Sequence, residues 1–262
     1  MRETKPSPLW LRLHALAVYC FLYAPILVLV LFSFNTDRRN SVWRGFTLEW
    51  YGKLLHNELL LKALYNSLKV ACLATVLSTI LGTTAALALS QHRFRGREAI
   101  GALAYLPMMV PEIVTGIALL TFFIKMGIQL SIWTVILAHV CFSVGYVTVT
   151  VRTRLAGLGK NLEEAAADLG ADPWTAFWLV TFPRILPGIL SGVLLAFTLS
   201  FDDFVITFFT AGVGAGTLPL KIYSMLKFGV TPEINAISSL MLLFTLAMLF
   251  LWSRLEGGVK GH

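Results

Sequence analysis

Three carboxylate side chains stand inside otherwise apolar stretches of the sequence. Glu112 follows two prolines in LPMMVPE, and Asp202 and Asp203 are adjacent in FTLSFDDFVITFF. An ionised group at mid-membrane costs at least about 2.5 kcal/mol on insertion scales, so each is by default a candidate for function. No basic residue lies at comparable depth in the same spans, and unpaired carboxylates beside the rings of Phe201 and Phe204 would suit a cation. The pattern therefore indicates movement of an organic amine.

The three acids are expected at a similar depth, in the outer half of the membrane. At about 1.5 Å per residue, Glu112 lies about 20 Å from the inner end of its helix and Asp202 about 25 Å from that of its own, in a core of roughly 30 Å. Adjacent helical residues point about 100° apart, so only one of Asp202 and Asp203 can face a narrow pathway, and the other faces a neighbour. The alternative is that the acids cap broken helices or pair with a partner subunit.

No other arrangement of residues in the sequence predicts chemistry. The sequence contains neither a G-x-x-x-x-G-K-[ST] loop, which would bind ATP, nor an H-E-x-x-H motif, which would bind zinc. Cys20, Cys72 and Cys141 lie in apolar segments without paired spacing, so they predict neither a disulfide nor a metal site. His139 lies deep in a span, where hydrogen-bonded packing is the favoured interpretation. We expect no catalytic residue, no metal and no cofactor.

The elements that must position the acids are membrane-spanning helices. The 262 residues are 57% hydrophobic and 13% charged, whereas a soluble domain carries about twice that charged fraction. Mean hydropathy is +0.76. The net charge of +7 comes from cations at the ends of apolar runs, which is an orientation signal in a membrane protein and does not indicate nucleic-acid binding. We expect one all-helical integral membrane domain over residues 1–262.

About six spans are predicted, and they place both termini in the cytoplasm. They cover roughly residues 13–34, 64–89, 100–124, 130–151, 185–210 and 234–252. Pro107 and Pro111 in the third span remove backbone donors, so we expect that helix to bend or break and to line a cavity. A short amphipathic helix at about 222–228 is expected in the outer segment before the sixth span. The excess of Lys and Arg in the inner segments supports this orientation but is modest.

A polar insert, residues 161–183, interrupts the apolar pattern between the fourth and fifth spans. Asn161 with Glu164 three residues later fits a capping box that begins a short helix. Gly170 stands where a left-handed helix stop costs least. An Asp-Pro pair follows, typical of the cap and first turn of a second helix. The insert is therefore predicted to form a helix, a tight turn and a helix.

This insert resembles the EAA signature of bacterial ABC-importer permeases. Glu164, Ala165 and Ala166 are followed by Gly170 and then by VTFP, in which Val and Phe replace the usual Ile and Leu. The resemblance implies a type I importer permease in the inner membrane, whose first short helix lies on the cytoplasmic face in a groove of the ATP-hydrolysing subunit. It implies as partners a second permease, two copies of the ABC ATPase and a periplasmic substrate-binding protein. The alternative is a chance polar loop with two capped helices.

Three further stretches, LPMMVPEIVTGIALL, FTLSFDDFVITFF and TLPLKIYSMLKFGVTPEINA, together look like the second permease of spermidine/putrescine importers. That resemblance implies inward transport of a cationic polyamine, with Glu112, Asp202 and Asp203 on its pathway. Permeases for another amine, an opine or an amino-acid-like compound share such stretches and remain alternatives. A stand-alone secondary transporter or channel would have no use for an EAA-type helix. An intramembrane enzyme would need a nucleophile or metal arrangement that the sequence lacks.

Overall fold

The structure, a computed structural model, is built mainly of α-helices. It describes residues 9–38, 42–91, 94–157 and 161–259, and the side chains of residues 161–164 and 251–259 lie outside that description. In chain order the helices are α1 (Leu9–Phe32), α2 (Glu49–His56), α3 (Glu58–Gln91), α4 (Arg97–Met109), α5 (Glu112–Lys125), α6 (Ile132–Ala156), α7 (Asn161–Asp168), α8 (Pro173–Ala176), a π-helical turn (Phe177–Thr181), α9 (Phe182–Asp202), α10 (Val205–Thr210), α11 (Leu218–Leu226) and α12 (Pro232–Val259). The predicted all-helical class is confirmed.

Within the described residues, five helices are long and apolar enough to cross a membrane. They are α1, α3, α6, the continuous helix Pro173–Asp202, and α12 over Pro232–Phe250. The pair α4 and α5 passes the same test only when taken together, and it is bent by 111° at the break between the two helices. The number of candidate spans is therefore six if the bent pair counts as one span.

The bend in the third span follows from local chemistry. Val110 has an extended backbone (φ −80°, ψ 129°), as expected for a residue that precedes a proline. Pro111 has no N–H to continue the ladder of α4, and α5 begins afresh at Glu112. The break predicted from Pro107 and Pro111 is thus confirmed, and it falls at the second proline, since Pro107 lies inside α4.

The fifth span differs from the single helix expected over residues 185–210. The helix begins at Pro173, continues through the π-helical turn and ends at Asp202. Asp203 is extended (φ −66°, ψ 129°), and the short helix α10 then starts at Val205. The apolar run of FVITFF hides this break, because hydropathy does not report backbone direction. Other boundaries also move: for example, α3 begins before residue 64, α11 begins before residue 222, and α6 continues past residue 151.

The chain forms two compact units. One consists of Met1–Glu58 with Ile222–Phe250, and the other of Leu59–Lys221 with Leu251–His262. In the first unit a buried Asn35 orders the loop between α1 and α2. Its amide group donates to the carbonyl of Val42 (2.8 Å) and accepts from the N–H of Arg44 (3.0 Å). The indole of Trp50, at the start of α2, donates to the Asn35 carbonyl (2.8 Å), so one side chain and one ring hold this loop.

The second unit is built around α6, which packs against α4, α9 and α10. Its buried Val147 and Val151 meet Ile185 of α9 in an apolar cluster. Small residues allow the close approach: a Cβ added at Gly82 would lie 2.7 Å from Val147, and one added at Gly145 would collide with the Ala104 carbonyl. Close backbone packing of this kind stabilises helix pairs in lipid, where apolar burial alone does not distinguish helix from hydrocarbon.

Candidate substrate pathway and coupling segment

The two broken helices of the second unit meet. Helix α5, which follows the first break, packs against α10, which follows the second. At the contact Gly116 is buried, and a Cβ added there would lie 2.6 Å from the ring of Phe209. Glu112 begins α5 and Asp203 caps the start of α10, so the two acids stand at the starts of the two packed helices. The structure therefore brings together acids that are far apart in sequence.

Asp203 occupies the second break as a cap. Its Oδ1 accepts from the N–H of Ile206 (3.2 Å), and its Oδ2 accepts from the N–H of Thr207 (2.8 Å) and from the Thr207 hydroxyl (2.9 Å). A carboxylate that accepts the free N–H groups of a first helical turn stabilises the new helix start. The residue is only 9% exposed, so these bonds also replace water around a buried charge.

His139 of α6 completes a buried polar network around Asp203. Its Nε2 lies 3.2 Å from Oδ2 of Asp203 and 3.1 Å from Oγ1 of Thr207, and its Nδ1 lies 2.7 Å from Oγ of Ser200. With the ring proton on Nε2, the imidazole donates toward Asp203 and Thr207 and accepts from the Ser200 hydroxyl. The ring is fully buried, and its hydrogen-bonded packing is as the sequence indicated.

The description of Asp203 as an unpaired carboxylate is wrong. Its partner, His139, comes from another span, and a comparison of residues within one span does not reveal it. A depth estimate would have found it: at about 1.5 Å per residue, His139 lies about 14 Å from the outer end of the fourth span, also in the outer half. Ser200 and Thr207 escaped notice because isolated hydroxyl residues in an apolar helix carry no distinctive pattern.

Asp202 and Glu112 are placed differently from Asp203. Asp202 is the last residue of α9 and is exposed, and Glu112 is the first residue of α5 and is also exposed. The prediction that the two adjacent aspartates point in different directions is confirmed, since only Asp203 turns toward α6. Tyr105, another aromatic residue of the third span, lines a separate cavity with Arg97 and Arg152.

The polar insert forms the predicted helix, turn and helix. Helix α7 ends in a tight turn in which Gly170 has φ +86° and the N–H of Ala171 donates to the carbonyl of Ala166 (2.9 Å). Open space surrounds a Cβ built at Gly170, so the conformation alone demands glycine. Ala165 is exposed and Ala166 half-buried, whereas the side chains of Asn161 and Glu164, and so the predicted capping box, lie outside the described residues.

Asp172 caps the second helix of the insert, as predicted. Its Oδ2 accepts from the N–H groups of Trp174 (3.1 Å) and Thr175 (3.3 Å), and its Oδ1 accepts from the Thr175 hydroxyl (2.6 Å). Pro173 occupies the first turn. These bonds, the Thr175 hydroxyl foremost, hold the pKa of Asp172 below its ordinary value. The cap therefore stays ionised throughout the neutral range.

A π-helical turn joins the insert to the fifth span. The N–H of Phe182 donates to the carbonyl of Phe177, five residues earlier. Around it Trp174 packs edge-on against Trp178 (centroids 5.7 Å apart), and Trp178 packs against Phe182 (4.8 Å). Helix α7 packs on this turn and on α8. The insert is therefore packed directly on the helix that ends at Asp202.

The chemistry that this arrangement supports is binding of a cation at the helix breaks. In the described part of the chain, no group of three or more His, Cys, Asp or Glu residues is arranged to hold a metal ion. The two exposed carboxylates are instead free to accept hydrogen bonds from a substrate. Broken, apolar helices with acids at the breaks, joined to a capped polar insert, define a multi-pass membrane transport subunit.

Comparison with known families agrees with that class. Residues 78–256 match the family described as "Binding-protein-dependent transport system inner membrane component". Because the match covers more than half of the chain, this protein belongs to that family. It is therefore a multi-pass protein of the bacterial inner membrane, and the resemblance drawn from the EAA insert is confirmed.

Curated relatives match nearly the whole length. The chain is 44% identical over 234 residues to the spermidine/putrescine transport system permease protein PotC of Haemophilus influenzae, covering 89% of this chain and 91% of that protein. It is 42% identical over 243 residues to the putrescine transport system permease protein PotI of Escherichia coli strain K12, covering 89% and 85%. The names of these relatives agree with the narrower resemblance found in the apolar stretches.

Solved structures share the fold. A bacterial ABC transporter involved in the import of the acidic polysaccharide alginate matches with a TM-score of 0.72 at 16% identity, covering 94% of both chains. The MetNI methionine ABC transporter matches with a TM-score of 0.62 at 16% identity, covering 82% of this chain and 99% of that one. The fold is accordingly that of the type I ABC-importer permeases.

Proposed function

We propose that this chain is the permease subunit of an ABC importer that carries a polyamine of the spermidine/putrescine class into the cytoplasm. The whole of residues 1–262 acts as one permease domain, with both termini in the cytoplasm. The relatives named for spermidine and putrescine transport support this substrate class, because they match across about nine-tenths of the chain. Membership in a binding-protein-dependent family argues against a stand-alone porter.

The observation that carries the proposal is that α5 and α10, the helices that follow the two breaks, pack against each other, and that carboxylates stand at both breaks. Glu112 and Asp202 are exposed at the ends of helices, where an ammonium group can reach them. A polyamine carries several separated cationic groups, and several separated carboxylates match it better than one. Carboxylates at this depth also offset the cost of removing an ammonium group from water.

In this proposal the three acids divide the work. Asp202 and Glu112 contact the substrate, and Asp203 holds the break in place through its bonds to His139 and Thr207. Asp203 still contributes its negative charge to the pathway, because it lies at the same break as Asp202.

The insert is proposed to couple transport to ATP hydrolysis on a partner chain, so that this subunit itself hydrolyses nothing. Glu164, Ala165, Ala166 and Gly170 form the docking helix and its stop. Leu169 is 90% exposed and Trp174 70% exposed, an apolar surface on a polar segment that a protein partner would cover. We propose two copies of an ABC ATPase, a second permease and a periplasmic substrate-binding protein as the other subunits. One structural relative was solved with a substrate-bound periplasmic protein.

Uptake into proteoliposomes tests the substrate. The chain is reconstituted with the subunits that copurify with it, and uptake of labelled spermidine and putrescine is measured with ATP inside. Excess unlabelled polyamine should abolish the signal, whereas a neutral amino acid or an opine at the same concentration should leave it unchanged. Inhibition by an opine or amino acid with none by polyamine would assign the alternative substrate class.

A further inference from the structure

A cavity of about 400 Å³ lies between α4 and α6 in the second unit, and two arginines line it. It is lined by Arg97, Glu98, Gly101, Ala102, Tyr105 and Arg152. The two helices pack directly against each other along the cavity wall. None of the acids assigned to the substrate pathway lines this cavity.

The two arginines are not neutralised within the part of the chain that the structure describes. Neither Arg97 nor Arg152 has a carboxylate within ion-pair distance among those residues, although Glu98 lines the same cavity. Arg97 donates its Nε–H to the carbonyl of Leu89 (2.8 Å), which leaves its terminal N–H groups for another acceptor. A Cβ added at Gly101 would lie 3.5 Å from Nη1 of Arg152, so the guanidinium rests on the backbone of α4.

Both arginines are half-buried, and a half-buried cation without an ion-pairing carboxylate is costly. Next to the cavity, the surface of α4 is apolar and exposed. Leu103 is 59% exposed and Leu106 46% exposed, on the helix that Arg97 begins. The site thus combines a cationic recess with an adjoining apolar face. An amphiphile with an anionic headgroup is complementary to both.

We propose that this cavity binds the phosphate headgroup of an anionic phospholipid. The guanidinium groups of Arg97 and Arg152 donate to the phosphate oxygens, a planar geometry that suits phosphate. The acyl chains then lie along the exposed apolar residues of α4. Basic recesses between membrane helices bind lipid headgroups in this way. A free phosphate ion shares the headgroup chemistry but would leave the apolar face without a role.

This site is independent of the transported substrate. It does bear on the pathway, because α4 runs from the cavity to the break that precedes Glu112. A bound lipid restrains the first half of the bent span.

Lipid retention by the purified complex tests the proposal without reference to transport. The full chain, with the subunits that copurify, is stripped of lipid in detergent and incubated with phosphatidylglycerol or phosphatidylcholine, and bound lipid is counted by native mass spectrometry. We expect phosphatidylglycerol to be retained in preference to phosphatidylcholine. Arg152→Gln should weaken that retention about tenfold through loss of a charge-assisted contact, and Arg152→Lys should restore part of it. The matched control Arg95→Gln removes an exposed charge from the neighbouring turn and should change nothing.

Equal retention of phosphatidylglycerol by Arg152→Gln and the native chain would overturn the proposal, as would equal retention of the two lipids. Displacement of the lipid by millimolar inorganic phosphate alone would assign the site to the free ion instead. Should Arg152→Gln fail to assemble, Ala102→Phe replaces it, since it fills the cavity from an exposed position and leaves both arginines in place. It too must lose the lipid for the proposal to stand.

Discussion

Nε2 of His139 lies 3.2 Å from Oδ2 of Asp203, and this pair ties α6 to the break between α9 and α10. The contact is almost fully excluded from solvent, with 1% of the histidine and 4% of the aspartate side chain exposed. Asp203 therefore has two structural tasks, capping α10 and anchoring the break to α6. Its neighbour Asp202 is exposed and has neither of these structural roles.

Breaking the His139–Asp203 pair should destabilise the protein more than removing both residues. His139→Leu removes one hydrogen-bond donor from a buried carboxylate, and the loss of a hydrogen bond to a charged group costs about 1.5–3 kcal/mol. The double variant His139→Leu with Asp203→Asn removes the charge as well and should recover part of that loss. Apparent melting temperatures of the detergent-solubilised complex compare the native chain with these two variants. A double variant less stable than His139→Leu alone would contradict the pairing.

The two adjacent aspartates should respond in opposite ways to neutralisation. Asp202→Asn should abolish most polyamine uptake and leave the melting temperature and subunit retention unchanged, because its side chain is exposed. Asp203→Asn should lower the melting temperature, because the cap of α10 and the contact with His139 are weakened. Glu112→Gln should behave like Asp202→Asn. Normal uptake by both Asp202→Asn and Glu112→Gln would rule out their role in the pathway.

Substitution of Gly170 should uncouple the insert without unfolding the permease. Its φ of +86° costs a side-chain-bearing residue about 1–2 kcal/mol, a factor of roughly 5 to 30 in the population of the docked turn. Gly170→Val should therefore reduce uptake per ATP hydrolysed while the chain still inserts. Gly157→Ala is the control, because Gly157 has an ordinary φ of −81° at the end of α6. Normal transport by Gly170→Val would remove the coupling role from this turn.

For coupled uptake at neutral pH, the hydrogen bonds of the Asp172 cap should matter more than its charge. Asp172→Ala loses the bonds to Trp174 and Thr175 and should reduce coupled uptake, whereas Asp172→Asn keeps an acceptor and should retain it. Because the folded pKa is lowered, the stability that ionisation contributes is present above the unfolded pKa and is lost as pH falls through the folded pKa. The melting temperature of the native chain should then exceed that of Asp172→Asn by a constant amount in the neutral range, and the two should converge as pH falls through the folded pKa. A difference that changed between pH 6 and pH 8 would contradict this assignment.

The proposed orientation is tested with topology reporters. A reporter fused after Val151 or at His262 should report the cytoplasm, and one placed at Gly45 or Gly214 should report the outside. The excess of Lys and Arg in the inner segments is modest, so the orientation needs a test of its own, and the reporters supply one that does not involve the substrate. One reporter on the opposite side would contradict the six-span arrangement.

The sequence predicted part of the site, and there is a physical reason why it did not predict the rest. Glu112, Asp202 and Asp203 stand out because charge in an apolar run is rare and costly. The break at Pro111 was predictable because proline lacks an N–H. The break at Asp203 was not predictable. An aspartate ends one helix and caps the next only where its backbone is extended, and here the contact with His139 of α6 anchors it.

Features set by local chemistry could be predicted without a structure: the apolar spans, the proline bend, the left-handed Gly170 and the Asp172 cap. Each depends on interactions among residues within about one helical turn, so their spacing is enough. Three relationships are visible only in the folded protein: His139 partners Asp203, α5 meets α10 at Gly116 and Phe209, and Arg97 and Arg152 share one cavity. These relationships join distant segments through packing geometry, and no spacing rule within one segment encodes them.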